Sequence, residues 1–194
     1  MTEELKAVEN IHRHALRNII NTENIYSGAI LDLNIDRVLF PSGCEKIREV
    51  VKHKSAVTVL PVHSDGTVSL VCQYRHAVDE DLYEIPAGLI EPGEDPAETA
   101  VRELQEEIGY KPGNIEKIFE FYTSPGYSTE KIIFFYATDL EPSKLAEDDD
   151  EFIKVHNFTI PEMKAMIDSG EIKDGKTIMA YCWLAAKKAE ENAI

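Results

Sequence analysis

The sequence lacks a membrane-spanning apolar segment and a disulfide framework. Its apolar runs, such as Ile132–Ala137, fall far short of the roughly 20 residues that a spanning helix needs. Met1–Asn10 is charged and has no apolar stretch before a cleavage site, so we expect no secretory signal. Cysteine is scarce and never occurs as a Cys-x-x-Cys pair: Cys44, Cys72 and Cys182. We therefore predict reduced thiols in a cytoplasmic protein.

Positive charge is also in short supply. The 194 residues include 36 Asp and Glu against 20 Lys and Arg, a net charge of -16. This balance argues against general nucleic-acid binding, because contacts to phosphates need a basic surface. The 43% of hydrophobic residues excludes disorder throughout. The length predicts one large domain, or a domain with a small extension.

The excess acid lies in two short segments. Residues 79–107 contain eleven Asp and Glu and a single base, Arg102, and residues 147–151 are all acidic. Together these segments hold nearly the whole net charge. If the fold brings them together, their mutual repulsion needs a counterion, and bound divalent cations are the obvious one.

Hydrophobic periodicity gives an outline of the secondary structure. Apolar residues recur at helical intervals over 1–20 and predict an amphipathic helix. Strands are predicted over 29–40, 45–51, 56–60, 67–74, 83–85, 115–122, 131–138 and 152–158. The turn at 64–66 predicts that 56–60 and 67–74 form a hairpin. Helices are predicted over 161–168 and 176–192.

One further helix is unusually well delimited. Asp95 is a natural N-cap, Pro96 suits the first helical position and Gly109 is a plausible C-cap. Three carboxylates on this helix share one face through their i, i+3, i+4 spacing: Glu103, Glu106 and Glu107. Such a face can be merely solvated. Converging carboxylates without nitrogen or sulfur ligands would suit Mg²⁺ or Mn²⁺ rather than zinc.

The segment from Gly88 to Tyr110 resembles the Nudix box, G-x5-E-x7-R-E-U-x-E-E-x-G-U, where U is bulky and apolar. Five residues separate Gly88 from Glu94, seven more lead to Arg102, and the end reads R-E-L-Q-E-E-I-G-Y. Every fixed position matches, with Tyr110 a loose fit for the last U. The resemblance implies an α/β (α+β) fold, the Nudix α/β/α sandwich with a mixed sheet, plus an N-terminal β-rich extension. It divides the chain into 1–53, an N-terminal helix and antiparallel strands for dimerisation and substrate contacts, and 54–194, the hydrolase domain.

The same resemblance assigns roles to the box residues. It implies Mg²⁺ as cofactor, with Mn²⁺ able to substitute, and Mg²⁺-dependent hydrolysis of a nucleoside diphosphate linked to another moiety. The implied metal ligands are three carboxylates and one backbone carbonyl: Glu103, Glu106, Glu107 and Ala87. The implied structural positions are Gly88, Glu94, Arg102 and Gly109.

Sequence outside the box is similar to the ADP-ribose pyrophosphatase subfamily. Pro125 follows Tyr110 by 15 residues within S-P-G-Y-S-T-E, which an ordinary turn would also allow. The resemblance implies substrate contacts at Arg75, Arg48, Glu49 and Ser128. It implies products AMP and ribose 5-phosphate, and a homodimer that exchanges N-terminal segments. The expected partner is a small nucleoside diphosphate sugar, with no nucleic acid and no membrane.

The acidic run at 147–151 resembles the loop that supplies a catalytic carboxylate in that subfamily. Glu151 is the first choice for the base, with Asp149 and Asp150 as alternates, and Glu106 is the second catalytic candidate. A solvated acidic loop remains the plain alternative. Two other functions also stay open: a pyrophosphatase for another nucleotide sugar, such as GDP-mannose, and a Nudix domain that binds ADP-ribose without cleaving it.

Overall fold

The structure is a computed structural model that describes residues 18–145 and 153–191. The chain divides into two compact units. The first combines Met1–Ser55 with Tyr122–Lys131, and the second combines Ala56–Phe121 with Ile132–Ile194. None of the helices in the described ranges has both the length and the apolar character to cross a membrane.

The first unit is built on a three-stranded antiparallel sheet in the order β1-β2-β3. The strands are β1 (Ile19–Ser27), β2 (Leu31–Leu39) and β3 (Glu45–His53). The predicted helix over 1–20 falls mostly outside the described residues, and its end is wrong. Ile19 and Ile20 begin β1, where Ile19 lies opposite Val38 of β2, because β-branched side chains favour extended backbone when a partner strand is present.

The loop at 122–131 belongs to the first unit because it is hydrogen-bonded to β3. The N–H of Val51 donates to the carbonyl of Tyr127 at 2.8 Å, and the N–H of Thr129 donates to the carbonyl of Val51 at 2.9 Å. The N–H of His53 donates to the Thr129 hydroxyl at 2.9 Å. The loop is therefore fixed along the strand that carries Arg48 and Glu49.

The second unit contains two sheets. The mixed sheet has the order β7-β4-β9-β8, with β4 parallel to β9 and antiparallel to β7. Its strands are β4 (Ala56–Pro61), β7 (Ala87–Leu89), β8 (Tyr110–Tyr122) and β9 (Lys131–Pro142). The antiparallel sheet has the order β10-β5-β6, formed by β5 (Val68–Arg75), β6 (Glu80–Glu84) and β10 (Lys154–Phe158).

The predicted hairpin at 56–74 forms only its turn. The N–H of His63 donates to the carbonyl of Thr67 at 2.9 Å, and a single bridge joins Val62 to Val68. Beyond that bridge the two strands enter different sheets. The prediction is wrong because each strand is apolar enough to be central in its own sheet, β4 between β7 and β9, and β5 between β10 and β6.

Helices cover both sides of these sheets, as the alternation of side chains shows. The helices are α1 (Pro96–Glu103), which continues as a π-helical turn over Leu104–Ile108, α2 (Ile160–Ser169) and α3 (Gly175–Glu191). Phe135 of β9 belongs to the apolar cluster that contains Leu104. Its neighbour Phe134 belongs to the cluster that contains Met163 of α2 and Leu184 of α3. Because successive strand residues point to opposite faces, this is the predicted α/β/α arrangement.

Candidate active site

Local sequence signals position α1 and its π-helical turn, which together form the acidic helix (96–108). The side chain of Asp95 accepts a hydrogen bond from the N–H of Ala97 at 2.8 Å, and Pro96 follows at the helix start. Gly109 ends the helix with φ 75°, and its N–H donates to the carbonyl of Leu104, five residues earlier. The last turn is therefore π-helical rather than α-helical. It has more residues per turn than an α-helix, so the three carboxylates do not keep the α-helical i, i+3, i+4 arrangement that the sequence predicted.

Arg102 connects three of the acidic side chains. Its Nε donates to Glu94 Oε1 at 2.9 Å, and its Nη1 donates to Glu106 Oε2 at 2.8 Å. The same Nη1 lies 2.8 Å from Glu103 Oε1. The hydrogen bond from Arg102 lowers the pKa of Glu94 to about 2. One guanidinium thus holds the acidic helix to the loop that precedes it.

The carboxylates of Glu103 and Glu107 are packed against the backbone of β7. The N–H of Ala87 donates to Glu107 Oε2 at 3.2 Å. At Gly88 the Glu103 carboxylate occupies the space that a side chain would need. Both glutamates are buried. The structure thus brings together the four sequence-predicted ligand positions: Ala87, Glu103, Glu106 and Glu107.

The donor chemistry of this cluster fits a hard divalent cation, because the atoms available as ligands are the carboxylate oxygens of the three glutamates and the backbone carbonyl of Ala87. Within 18–145 and 153–191, however, no three His, Cys, Asp or Glu side chains already form a metal-holding group. Instead, Arg102 contacts an oxygen of both Glu103 and Glu106. Two of the four predicted ligand positions are thus assembled around an arginine.

Arg75 lies at the end of β5 and pairs with a buried acid. Its Nε and Nη2 donate to the two oxygens of Glu84 at 2.7 and 2.9 Å. That hydrogen bonding, together with the charges of Glu84, Glu107 and Asp174, raises the pKa of Arg75 above its usual value. Burial alone would raise the pKa of Glu84, yet Arg75 and Lys176 hold it below its usual range. Both partners are therefore charged, and Arg75 remains 41% exposed.

The first unit contains a pocket of about 320 Å³. Four sequence-predicted positions line it: Arg48, Glu49, Pro125 and Ser128. Phe40 and Asp36 line it as well, and sequence reasoning missed both. The Arg48 guanidinium lies 5.5 Å from the centre of the Phe40 ring. The missed signal for Phe40 is an aromatic residue directly before the Pro41 turn. Asp36 is one of four polar residues of β2, and nothing in the sequence marks it as the buried one.

The acidic run at 147–151, including Glu151, lies outside the described residues. The chain on either side of it is anchored to the second unit near the acidic helix. The N–H of Leu145 donates to the carbonyl of Gln105 at 3.1 Å, and the N–H of Ser143 donates to the carbonyl of Gly109 at 2.8 Å. On the far side, Ile153 packs against the apolar cluster that includes Leu104.

Comparisons with known proteins point to one family. The family model described as the NUDIX domain matches residues 52–182. The chain is 41% identical to the ADP-ribose pyrophosphatase of Bacillus subtilis (strain 168), over 88% of this chain and 93% of that protein. It is 38% identical to the methanol dehydrogenase activator of Bacillus methanolicus, with the same coverage. A crystal structure of an ADP compounds hydrolase superposes with TM-score 0.82 at 21% identity, covering 91% of this chain and 96% of that chain.

Proposed function

The chain belongs to the Nudix family, and from that premise we propose that it hydrolyses the diphosphate bond of ADP-ribose to AMP and ribose 5-phosphate. The observation that carries the substrate is the alignment with the Bacillus subtilis ADP-ribose pyrophosphatase along nearly the whole length of that protein. The carboxylates assembled against β7 support the reaction type, because a family of metal-dependent hydrolases needs oxygen ligands beside a diphosphate site.

The proposed cofactor is Mg²⁺, with Mn²⁺ as a substitute. Glu103, Glu106, Glu107 and the carbonyl of Ala87 would hold it, and when bound it supplies an activated water and offsets the diphosphate charge. Glu103 and Glu106 would exchange Nη1 of Arg102 for the cation. The Glu94 pair keeps Arg102 in place during this exchange, since two separate hydrogen bonds join them.

Arg75 is proposed to bind the diphosphate. Its Nε and Nη2 are used by Glu84, which leaves the Nη1 edge to meet an anion. Guanidinium groups bind phosphate oxygens through strong charge-assisted hydrogen bonds. Glu84 therefore fixes the orientation of Arg75, and Arg75 fixes that of the substrate.

The pocket of the first unit is proposed to receive the adenosine part of the substrate. Phe40 offers an aromatic face, and Arg48 already lies over that ring, so a purine can stack on one of these flat groups. Glu49 and Ser128 add polar atoms to the pocket wall. These side chains supply the selectivity that the metal site cannot, because the diphosphate is common to all nucleoside diphosphate sugars.

Glu151 is proposed to orient or deprotonate the attacking water, with Asp149 and Asp150 as alternates. Support comes from the residues on either side of the run, because the N–H of Leu145 donates to the carbonyl of Gln105 and Ile153 packs against the apolar cluster that contains Leu104. The described residues on both sides of the acidic run are therefore attached to the part of the second unit that carries Glu107.

The working form is proposed to be a cytoplasmic homodimer with exchanged N-terminal segments. The first unit exposes apolar side chains that a partner subunit would cover: Ile19, Ile20, Ile25, Tyr26, Ile30 and Ile47. Sedimentation velocity tests this proposal. A mass of one chain at micromolar concentration would contradict the dimer.

Product identification tests the proposed function. The purified protein is incubated with Mg²⁺ and, separately, ADP-ribose, GDP-mannose, NADH and diadenosine polyphosphates. We expect AMP and ribose 5-phosphate, with ADP-ribose giving the highest kcat/KM. Equal or faster turnover of another compound overturns the choice of substrate. Tight binding of ADP-ribose without turnover of any compound identifies a sensor.

A second candidate function, activation of a methanol dehydrogenase, is favoured by the name of the Bacillus methanolicus relative. The protein and its Glu107→Gln variant are added in turn to a methanol dehydrogenase assay. Stimulation by the parent alone links activation to hydrolysis. Absence of stimulation by either removes this candidate.

A further inference from the structure

The beginning of α3 is joined to the end of β6 by buried ionic contacts. Lys176 Nζ lies 2.9 Å from Glu84 Oε2 and 2.8 Å from Asp174 Oδ1. The side chain of Lys176 is only 17% exposed and that of Glu84 only 3%. Glu84 in turn holds Arg75 through both oxygens. Positive and negative side chains therefore alternate from Lys176 through Glu84 to Arg75, the residue proposed to bind the diphosphate.

Lys176 and Arg75 share one oxygen of Glu84. The Oε2 atom accepts from Arg75 Nη2 at 2.9 Å and from Lys176 Nζ at 2.9 Å. A carboxylate held by two cations on one atom loses the freedom to rotate. The fixed carboxylate then determines which edge of the Arg75 guanidinium is occupied and which edge faces outward.

The first turn of α3 also fixes the backbone next to Glu84. The N–H of Ile85 donates to the Thr177 hydroxyl at 2.9 Å. That hydroxyl donates to Asp174 Oδ2 at 2.7 Å, and Asp174 is the acid that also binds Lys176. The first turn of α3 thus contacts the side chain of Glu84 and the backbone of Ile85. Ile85 lies two residues before Ala87, whose carbonyl is a proposed metal ligand.

The burial of the Lys176 side chain is not explained by its contribution to stability alone. Removing lysine from water costs free energy, and an apolar residue of similar size is often as stabilising as a buried ion pair. The Arg75–Glu84 pair is already bidentate without Lys176. What Lys176 adds is a second cation on Glu84, so that the negative charge of Glu84 is not balanced by Arg75 alone.

We propose that Lys176 is a positioning residue for diphosphate binding: it fixes Glu84 so that Arg75 presents its Nη1 edge to the substrate. The proposal rests on the proposed function, through the role given there to Arg75. Lys176 itself contacts no substrate in this scheme. Its contribution passes entirely through Glu84 and Arg75.

The chain offers a matched control in Lys173, three residues before Lys176. Lys173 pairs with Glu80, so it also joins this segment to β6. The Lys173 and Glu80 side chains are 54% and 47% exposed, and an exposed pair contributes little. Lys173→Met therefore removes the same charge without touching the buried network.

The experiment is a double-mutant cycle on Arg75 and Lys176, measured as kcat and KM for ADP-ribose at saturating Mg²⁺. We expect Lys176→Met to raise KM about tenfold, the scale of one weakened charge-assisted hydrogen bond, with a smaller change in kcat. Lys176→Arg should recover most of the loss, and Lys173→Met should match the parent. In an Arg75→Gln background, Lys176→Met should have no further effect, because the residue through which it acts is gone.

Folding is checked separately. Trp183, the single tryptophan of the chain, lies on α3, so its fluorescence reports whether that helix is still packed. If Lys176→Met fails to fold, Lys176→Gln takes its place, since the amide keeps hydrogen-bond donors without the charge, and the same rise in KM is expected.

Three results overturn the inference. The first is a folded Lys176→Met with the parent's KM. The second is an equal effect of Lys176→Met with and without Arg75, which would make its role independent of that residue. The third is an unchanged KM in Arg75→Gln. A parent protein that turns over no nucleoside diphosphate sugar overturns the proposed function and this inference together. With an active parent, the first two results count against Lys176 alone, and the third counts against the role given to Arg75.

Discussion

A Cβ atom placed on Gly88 would lie 1.9 Å from Oε1 of Glu103. Such a distance is far inside van der Waals contact, so Gly88→Ala must move the Glu103 carboxylate, which is the flexible end of its side chain. We expect a folded protein that needs roughly 10-fold to 100-fold more Mg²⁺ for half-maximal rate, the usual cost of displacing a ligand or its support. The measurement is the initial rate across a Mg²⁺ titration.

Gly175→Ala is the control, because a Cβ at Gly175 meets no atom within 4 Å. A Mg²⁺ requirement that is the same in Gly88→Ala and Gly175→Ala would remove Glu103 from the metal site.

Glu107→Gln keeps the shape of the side chain and its hydrogen bond from Ala87 but removes the charge. We expect kcat to fall by roughly 100-fold or more, as is typical when a preorganised charge at a reacting centre is lost, with little change in melting temperature. Glu116→Gln on β8 is the control, since Glu116 is an exposed acid. Retention of parental kcat by Glu107→Gln would exclude Glu107 as a ligand.

Arg48→Ala is expected to raise KM for ADP-ribose by about tenfold or more, because stacking of a base on flat side chains contributes on the order of 1–3 kcal/mol. The effect on kcat should be small, since the proposed scheme gives Arg48 no contact with a reacting group. Lys52→Ala removes a positive charge from an exposed position on the same strand and should leave KM unchanged. Equal effects of the two variants would indicate general electrostatic attraction instead of a pocket contact.

Glu151→Gln should reduce kcat by roughly 100-fold, the lower range of a general base's contribution, while Glu147→Gln should not. If Glu151→Gln keeps full activity, the same change at Asp149 and then Asp150, as Asn, locates the base. Full activity in all three variants would exclude the acidic run from catalysis.

The pKa of Glu94 predicts a pH dependence of stability. Pairing with Arg102 lowers that pKa from 4.5 to about 2, so the folded state favours the ionised form. The stabilisation is fully present above the unfolded pKa and is lost as pH falls from about 4.5 toward 2. The difference in free energy of unfolding between the parent and Glu94→Gln should therefore shrink over that interval, as measured by urea unfolding. A difference that stays constant with pH would contradict the pairing.

Local signals allowed the acidic helix to be predicted from the sequence. Asp95, Pro96 and Gly109 each act on their own neighbouring backbone, and the structure places all three at the helix ends. The π-helical turn was not predicted, because its cause is a hydrogen bond between Gly109 and Leu104 that leaves the residue pattern unchanged.

Features that depend on distant partners could not be predicted. β1 forms because β2 is beside it, and β4 leaves β5 because β9, more than 70 residues later in the chain, pairs with it. The contact of Lys176 with Glu84 spans 92 residues. Hydrophobic periodicity records which side of an element is buried, but it does not record which element covers that side.

The ion pairs of Arg102 bear on the stability of the protein when no metal ion is bound. Since one guanidinium already bridges Glu94, Glu103 and Glu106, the carboxylates have a counterion from the moment the chain folds. Under the proposed Mg²⁺ dependence, we expect a chelator to stop turnover while leaving the protein folded. The cellular supply of divalent cation would set how fast each molecule works, and not how many molecules survive.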